Sequence, residues 1–246
     1  MKYHYVWLLW SLAFLGPWLI LYVAAGSFRR DMLRISALTS LLGFSEPFFV
    51  PEYWNPPSLL DLAQRTGFDI ESLIFSFAIG GIGAASYDVL TRRRFDPVPS
   101  AERHALRHRI HLTVLMVPFA AVPLFYFLGW NPIHAAIAAL ALGNAAAVVC
   151  RPDLWRGTLL GGMLFAALYG VFMILLVVFT PGYIEQVWNL PALSRTRPAG
   201  IPLEELAFGL AFGAYWASAY EHFTWRHRVR PKPFASSAAM GIGGRH

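Results

Sequence analysis

The stretch GTLLGGMLFAALYGVFMILLVVFT, residues 157–180, contains no charged side chain. The hydrocarbon layer of a bilayer is about 30 Å thick and takes roughly 20 apolar residues of helix to cross, so this run reads as a transmembrane segment. Six further runs read the same way: 5–25, 33–50, 70–91, 110–128, 132–150 and 201–224, the second and fifth of the seven being the shortest. Hydrophobic residues make up 57% of the 246 and charged residues only 14%, with a mean hydropathy of +0.48. Such a chain is too apolar for a soluble domain. The predicted fold is an all-α polytopic integral membrane bundle of about seven transmembrane helices.

The charges support that count. Lys and Arg gather on cytoplasmic loops of membrane proteins. Here Arg29, Arg30 and Arg34 follow the first run, Arg92, Arg93, Arg94, Arg103, Arg107 and Arg109 the third, and Arg151 and Arg156 the fifth; Arg226, Arg228, Arg230, Lys232 and Arg245 follow the last. These alternate segments hold 16 of the 20 basic residues, leaving Lys2, Arg65, Arg195 and Arg197 on the other side. A six-helix count breaks the alternation. The expected orientation has the amino terminus outside and a basic tail in the cytoplasm, with the tail 236–246 disordered. The net charge of +6 is thereby explained by orientation, and no nucleic-acid partner is expected. The run 5–25 is longer than a signal-peptide core and lacks a small-residue cleavage site before Phe28-Arg29-Arg30, so a retained helix is expected. With Cys150 the only cysteine, no intramolecular disulfide and no multi-thiolate metal cluster can form.

The two halves share a spaced pattern. Trp54-Asn55-Pro56-Pro57, Glu71, Phe75, Gly80 and Tyr87-Asp88 line up with Trp188-Asn189-Leu190-Pro191, Glu204, Phe208, Gly213 and Tyr220-Glu221. The tryptophans are offset by 134 residues and the later positions by 133, so one single-residue gap aligns them. Three helices per copy would leave the second copy inverted, and the fourth helix restores its direction. The expected layout is two parallel three-helix repeats, 1–92 and 132–225, joined by a basic loop and linking helix, 93–131, and followed by the tail 226–246. A site between the repeats follows.

Acidic residues within apolar runs are the candidates for chemistry. Glu46 interrupts Gly43-Phe44-Ser45-Glu46-Pro47-Phe48, where an unpaired ionised carboxylate costs on the order of 3 kcal/mol, so it should face protein. Glu204 and Glu205 open the last helix behind Pro202, and Glu71 opens the third behind Asp69; carboxylates there also suit the positive end of the helix dipole, and Asp69 suits an N-cap. Trp54, Phe75, Trp188, Phe208, Phe212 and Trp216 could line a pocket. Tyr87-Asp88 and Tyr220-Glu221 lie about 25 Å further along their helices and read as anchors at the cytoplasmic surface. His134 and His222 lack metal-ligand spacing, Asn144 reads as interhelical polar glue, and no metal is expected.

These features resemble the membrane-bound lycopene cyclase domain family, the carotenoid cyclases without a flavin-binding fold. The resemblance rests on Tyr3 to Pro17 with its Leu15-Gly16-Pro17 ending, Trp54-Asn55-Pro56-Pro57, and Ile201-Pro202-Leu203-Glu204-Glu205-Leu206-Ala207-Phe208 leading to Tyr220-Glu221. It implies a duplicated domain, a Pro-x-Glu-Glu motif used in acid chemistry, and cyclisation of linear polyene ends without a cofactor. Glu204 and Glu205 would be the acid/base pair, Glu71 their pseudo-symmetric partner and Glu46 an auxiliary acid. The ligand would be a carotenoid or other isoprenoid lipid entering from a bacterial or archaeal cell membrane. The first copy departs from the motif, with Asp69-Ile70-Glu71-Ser72 in place of Pro-x-Glu-Glu. Two other readings stay open: a non-catalytic isoprenoid- or lipid-binding or assembly subunit, as a homo-oligomer or with a partner membrane subunit, and a CAAX-protease-like enzyme. The last needs an arginine where Gly209 stands.

Overall fold

The computed structural model describes residues 3–92 and 94–229; the tail 236–246 lies outside them. The chain is mostly helical, and helices cover every one of the apolar runs. Among the described residues, four stretches, Val6–Ala24, Ile70–Thr91, Pro132–Cys150 and Pro152–Phe179, are long and apolar enough to cross a membrane. Ile20, Phe127, Val149 and Phe179 are all more than two-thirds exposed on the outside of the bundle, as suits a protein whose solvent is lipid.

Proline and glycine decide where the runs break. The first is α1 (Val6–Ala13) and α2 (Leu15–Ala24); Pro17 has no N–H to offer the carbonyl four residues back, next to the break at Phe14. The second is α3 (Arg29–Ser40), a 3-10 stretch Leu41–Ser45 and the single turn α4 (Glu46–Phe49), with Pro47 in that turn. A short α5 (Leu62–Thr66) precedes α6 (Ile70–Thr91). Asp69 caps α6 as the sequence suggests, its Oδ1 accepting from Ser72 N at 2.5 Å. After β1 (Arg94–Pro97) and α7 (Ser100–Arg103), the fourth run divides at Met116 into α8 (His111–Leu115) and α9 (Val117–Phe127). Then come α10 (Pro132–Cys150), α11 (Trp155–Phe179), α12 (Tyr183–Val187), α13 (Leu203–Thr224) and β2 (Arg226–Val229).

Helix α13 is central. It packs on α11, α10 and α6, while α3 covers α6 and α9 covers α10. Glycines permit these close approaches. A methyl on Gly213 would stand 2.3 Å from the Phe165 Cβ of α11, and one on Gly80 would stand 1.9 Å from the Thr39 Oγ1 of α3. Asn144 bonds across helices as polar glue, Nδ2 donating to the Ala211 carbonyl at 3.0 Å.

The start of the basic tail, directly after α13, forms a strand. β2 pairs antiparallel with β1, Arg94 opposite Val229 and Pro97 opposite Arg226. The reason is electrostatic. Arg228 on β2 reaches back to α6 and α13, its Nε 2.5 Å from Asp88 Oδ1, and it forms an ion pair with Glu221 as well. Asp88 and Glu221, read from sequence as surface anchors, are buried; each is the acidic partner of its tyrosine in the repeated pattern, and one guanidinium serves both. Arg151, also buried, is held by Asp153 at 2.8 and 2.6 Å and donates to the Arg226 carbonyl, joining the end of α10 to β2.

Removing one partner from a buried ion cluster leaves the others uncompensated, at a cost on the order of 3–5 kcal/mol. Arg228→Met should therefore lower the thermal unfolding midpoint in detergent markedly, and adding Asp88→Asn with Glu221→Gln should recover much of the loss. Equal midpoints for wild type and Arg228→Met would show the cluster to be dispensable.

Candidate active site

The site is built where two similar loops meet. Each follows a helical segment and carries Trp-Asn: Trp54-Asn55 after α4 and Trp188-Asn189 after α12. They pair antiparallel at Trp54 and Trp188, with Asn55 N donating to the Val187 carbonyl at 2.8 Å and Asn189 N to the Tyr53 carbonyl at 2.9 Å. This two-bond ladder fixes Tyr53, Trp54 and Trp188 over the first turns of α6 and α13.

Adjacent residues on a helix point about 100° apart, and that separates the fates of Glu204 and Glu205. Glu205 turns inward. Its Oε1 accepts from Trp188 Nε1 at 2.7 Å and from the Tyr53 hydroxyl, and its Oε2 accepts from the Tyr169 hydroxyl of α11 at 2.6 Å. Three donors converge on one buried carboxyl. Glu204 turns instead to the loop before its helix, where Oε1 accepts from Ser194 N at 2.6 Å and lies 3.4 Å from His134 Nε2.

Glu71, at the matching position of the first half, does the same thing: its Oε1 accepts from Leu59 N at 2.7 Å. Both glutamates thus tie a loop to a helix start. The position that matches Glu205 is Ser72. Its hydroxyl donates at 2.9 Å to Oε2 of Glu46, which the turn of α4 brings inward, and the Trp54 side chain lies within interacting reach of that carboxyl. Glu46 Oε1 is buried without a partner. Each Trp-Asn loop therefore meets a carboxyl, one carried by α13 and the other delivered from α4 through a serine.

Between them lies a cavity of about 400 Å³, within the range of small-ligand pockets. Glu46, Glu205 and Ser72 line it, and so do all six aromatics singled out from sequence: Trp54, Phe75, Trp188, Phe208, Phe212 and Trp216. Glu71 and Glu204 do not line it. Sequence reasoning passed over Tyr53, Ser72 and Tyr169. For Tyr169 there was a signal, because a hydroxyl in the middle of a lipid-spanning run needs a partner.

The match to known proteins falls on this architecture. Residues 131–223 fit the family model described as lycopene cyclase. They form a lycopene cyclase family domain. Neither a curated protein nor a solved structure matches the chain. The lycopene cyclase domain contributes α10, α11 and α13, and with them Tyr169, Trp188, Glu204 and Glu205. Glu46, Tyr53, Ser72 and Phe75 lie before the matched segment, so half the cavity wall comes from the other side of the chain.

Tyr169→Phe deletes a donor to a buried carboxyl and leaves the ring. A loss of about 1–3 kcal/mol is expected, measurable by denaturant unfolding in detergent. An unchanged midpoint would mean that Tyr169 does not support Glu205.

Proposed function

We infer a carotenoid cyclase-like function in general, on an isoprenoid lipid within a membrane, from the match to the lycopene cyclase model. We propose that the chain is an acid/base cyclase of linear polyene ends, with Glu46 as proton donor and Glu205 as the base, while Glu204 and Glu71 hold the loops around the cavity. The observation that carries this reading is the pair of unlike carboxyls facing one aromatic cavity: Glu205 held by three donors, Glu46 with one oxygen buried and unpartnered.

Glu205 is fixed in place by its three donors, while Glu46 keeps one oxygen free of any hydrogen-bond partner, a position open to a transferable proton. Glu46 would protonate the terminal double bond of the polyene, leaving a tertiary carbocation. The neighbouring internal double bond attacks that carbon, closing a six-membered ring and moving the charge onto it. Glu205 then takes a proton from a carbon beside the charge, forming the ring double bond. One proton enters and one leaves, so no electrons are exchanged overall; exchange with water resets the two glutamates. Aromatic faces attract cations, and Trp54, Phe75 and Phe208 border the cavity. A cavity of about 400 Å³ suits one end of a long hydrocarbon, with the remainder lying among the helices and entering sideways from lipid.

The same proposal takes seven crossings, an outer amino terminus, a cytoplasmic tail and two like-oriented three-helix repeats. Its support is that the two Trp-Asn loops pair with each other, which requires both on one side of the membrane.

Expressed in a lycopene-accumulating host, wild type should yield cyclic end groups. Glu205→Gln and Glu46→Gln should lower the yield by about 10²-fold or more, as loss of general acid/base catalysis does, with Glu204→Gln and Glu71→Gln retaining most of it. Lycopene left intact by a properly inserted wild type would favour the binding-protein reading. A carboxyl-terminal fluorescent-protein fusion should glow and a phosphatase fusion at the same point stay inactive; the reverse would overturn the orientation.

A further inference from the structure

At the opposite end of α13 from Glu205, about 25 Å along the helix, three buried side chains converge, from the 3-10 turn Leu106–His108, from α8 and from α10. We propose that His108, His111 and Cys150 form a metal site for a zinc-type divalent ion, clamping the start of α8 to the end of α10. The three ligand atoms lie within 4.8 Å of one another. His108 Nδ1 and His111 Nδ1 each stand 3.4 Å from Cys150 Sγ. An ion with bonds of about 2.3 Å to sulfur and about 2.0–2.1 Å to nitrogen in tetrahedral geometry separates those atoms by about 3.5 Å. Both sulfur–nitrogen separations thus match those of a shared ion.

The surroundings fix the ligand form. His111 Nε2 lies 2.6 Å from the His222 carbonyl, and His222 Nε2 lies 2.9 Å from the His111 carbonyl. A carbonyl only accepts, so each Nε2 carries its hydrogen, and the His111 Nδ1 lone pair is left facing the sulfur. Outer-shell bonds of this kind orient metal-binding histidines. Trp225 stacks on His111 at 3.6 Å and meets His108 edge-on at 5.1 Å, holding both rings. His222 stacks parallel to His111 at 3.9 Å; two parallel rings cannot both point edge-on at one ion, so His222 supports the site from outside. The adjacent cation, Arg151, is engaged by Asp153 on two nitrogens. Binding would release the thiol proton to solvent, giving a thiolate and two neutral imidazoles, with a fourth position open to a further ligand.

The competing account is a thiol–imidazole hydrogen-bond network without an ion. Metal analysis of the full-length protein purified in detergent separates the two. About one zinc per chain is expected, falling roughly tenfold or more in Cys150→Ser and His108→Gln. Cobalt exchanged into wild type should give a thiolate-to-cobalt charge-transfer band that Cys150→Ser lacks, and a chelator should lower the wild-type melting midpoint. Wild type that purifies folded with negligible metal, gives no such band with added cobalt and melts identically with and without chelator would overturn the site. Those three measurements use wild type alone, so they decide the matter even where a variant fails to fold.

Discussion

A carboxyl group buried among hydrocarbon must be given partners or the fold pays for it, and Glu205 shows how this chain meets that constraint. Its three donors come from three separate places: Tyr53 after α4, Tyr169 in the middle of α11, and Trp188 after α12. None of them can reach Glu205 unless α11 lies against α13 and the two Trp-Asn loops are zipped together. The helix contact depends on Gly213, whose missing side chain admits Phe165, and the zipper depends on main-chain bonds between Tyr53, Asn55, Val187 and Asn189. Satisfying one carboxyl therefore fixes the relation between the first and second halves of the molecule at this end.

The other end of α13 is held by charge instead. Arg228 arrives on a short strand and neutralises Asp88 and Glu221 together, drawing the ends of α6 and α13 to a common point. The central helix is thus pinned by polar chemistry at both termini, while its middle packs on apolar surfaces and is tied to α10 by the Asn144 bond to the Ala211 carbonyl. In lipid, where there is no water to compete, such polar termini set the register that hydrophobic contact alone leaves loose.

Length and hydropathy made the apolar runs legible, because the bilayer imposes a length on anything that crosses it. The helix starts at Asp69 and Pro202 were legible from cap chemistry. Which of Glu204 and Glu205 enters the cavity was not legible, since both occupy the first turn and only the packing of α11 decides which side is interior. Of the six pocket aromatics, Trp54, Phe75, Trp188 and Phe208 belong to the repeated pattern, whereas Phe212 and Trp216 stand opposite Ile79 and Gly83. The pairing of β1 with β2 was hidden by its composition: Arg226 and Arg228 look like a solvated cytoplasmic tail until a buried Asp and Glu are seen to need them. His108, His111 and Cys150 were hidden by separation, about forty residues of chain and a whole helix lying between the histidines and the thiol.

The family match stops at residue 131 on the amino-terminal side, and the structure gives a physical reading of what changed before it. Ser72 occupies the position that Glu205 fills in the second half, and in place of a carboxylate it offers a hydroxyl that grips Glu46 from another element. A strictly repeated site would present two carboxyls in matching surroundings, and alike groups titrate alike. Acid/base chemistry asks for the opposite, one group that gives a proton while its neighbour accepts one. In the proposed chemistry, Glu205, held by three donors, and Glu46, held at one oxygen by Ser72, would supply that difference. Under the proposed cyclase reading, the departure from Pro-x-Glu-Glu at Asp69-Ile70-Glu71-Ser72 is the asymmetry that would let Glu46 and Glu205 take unlike roles.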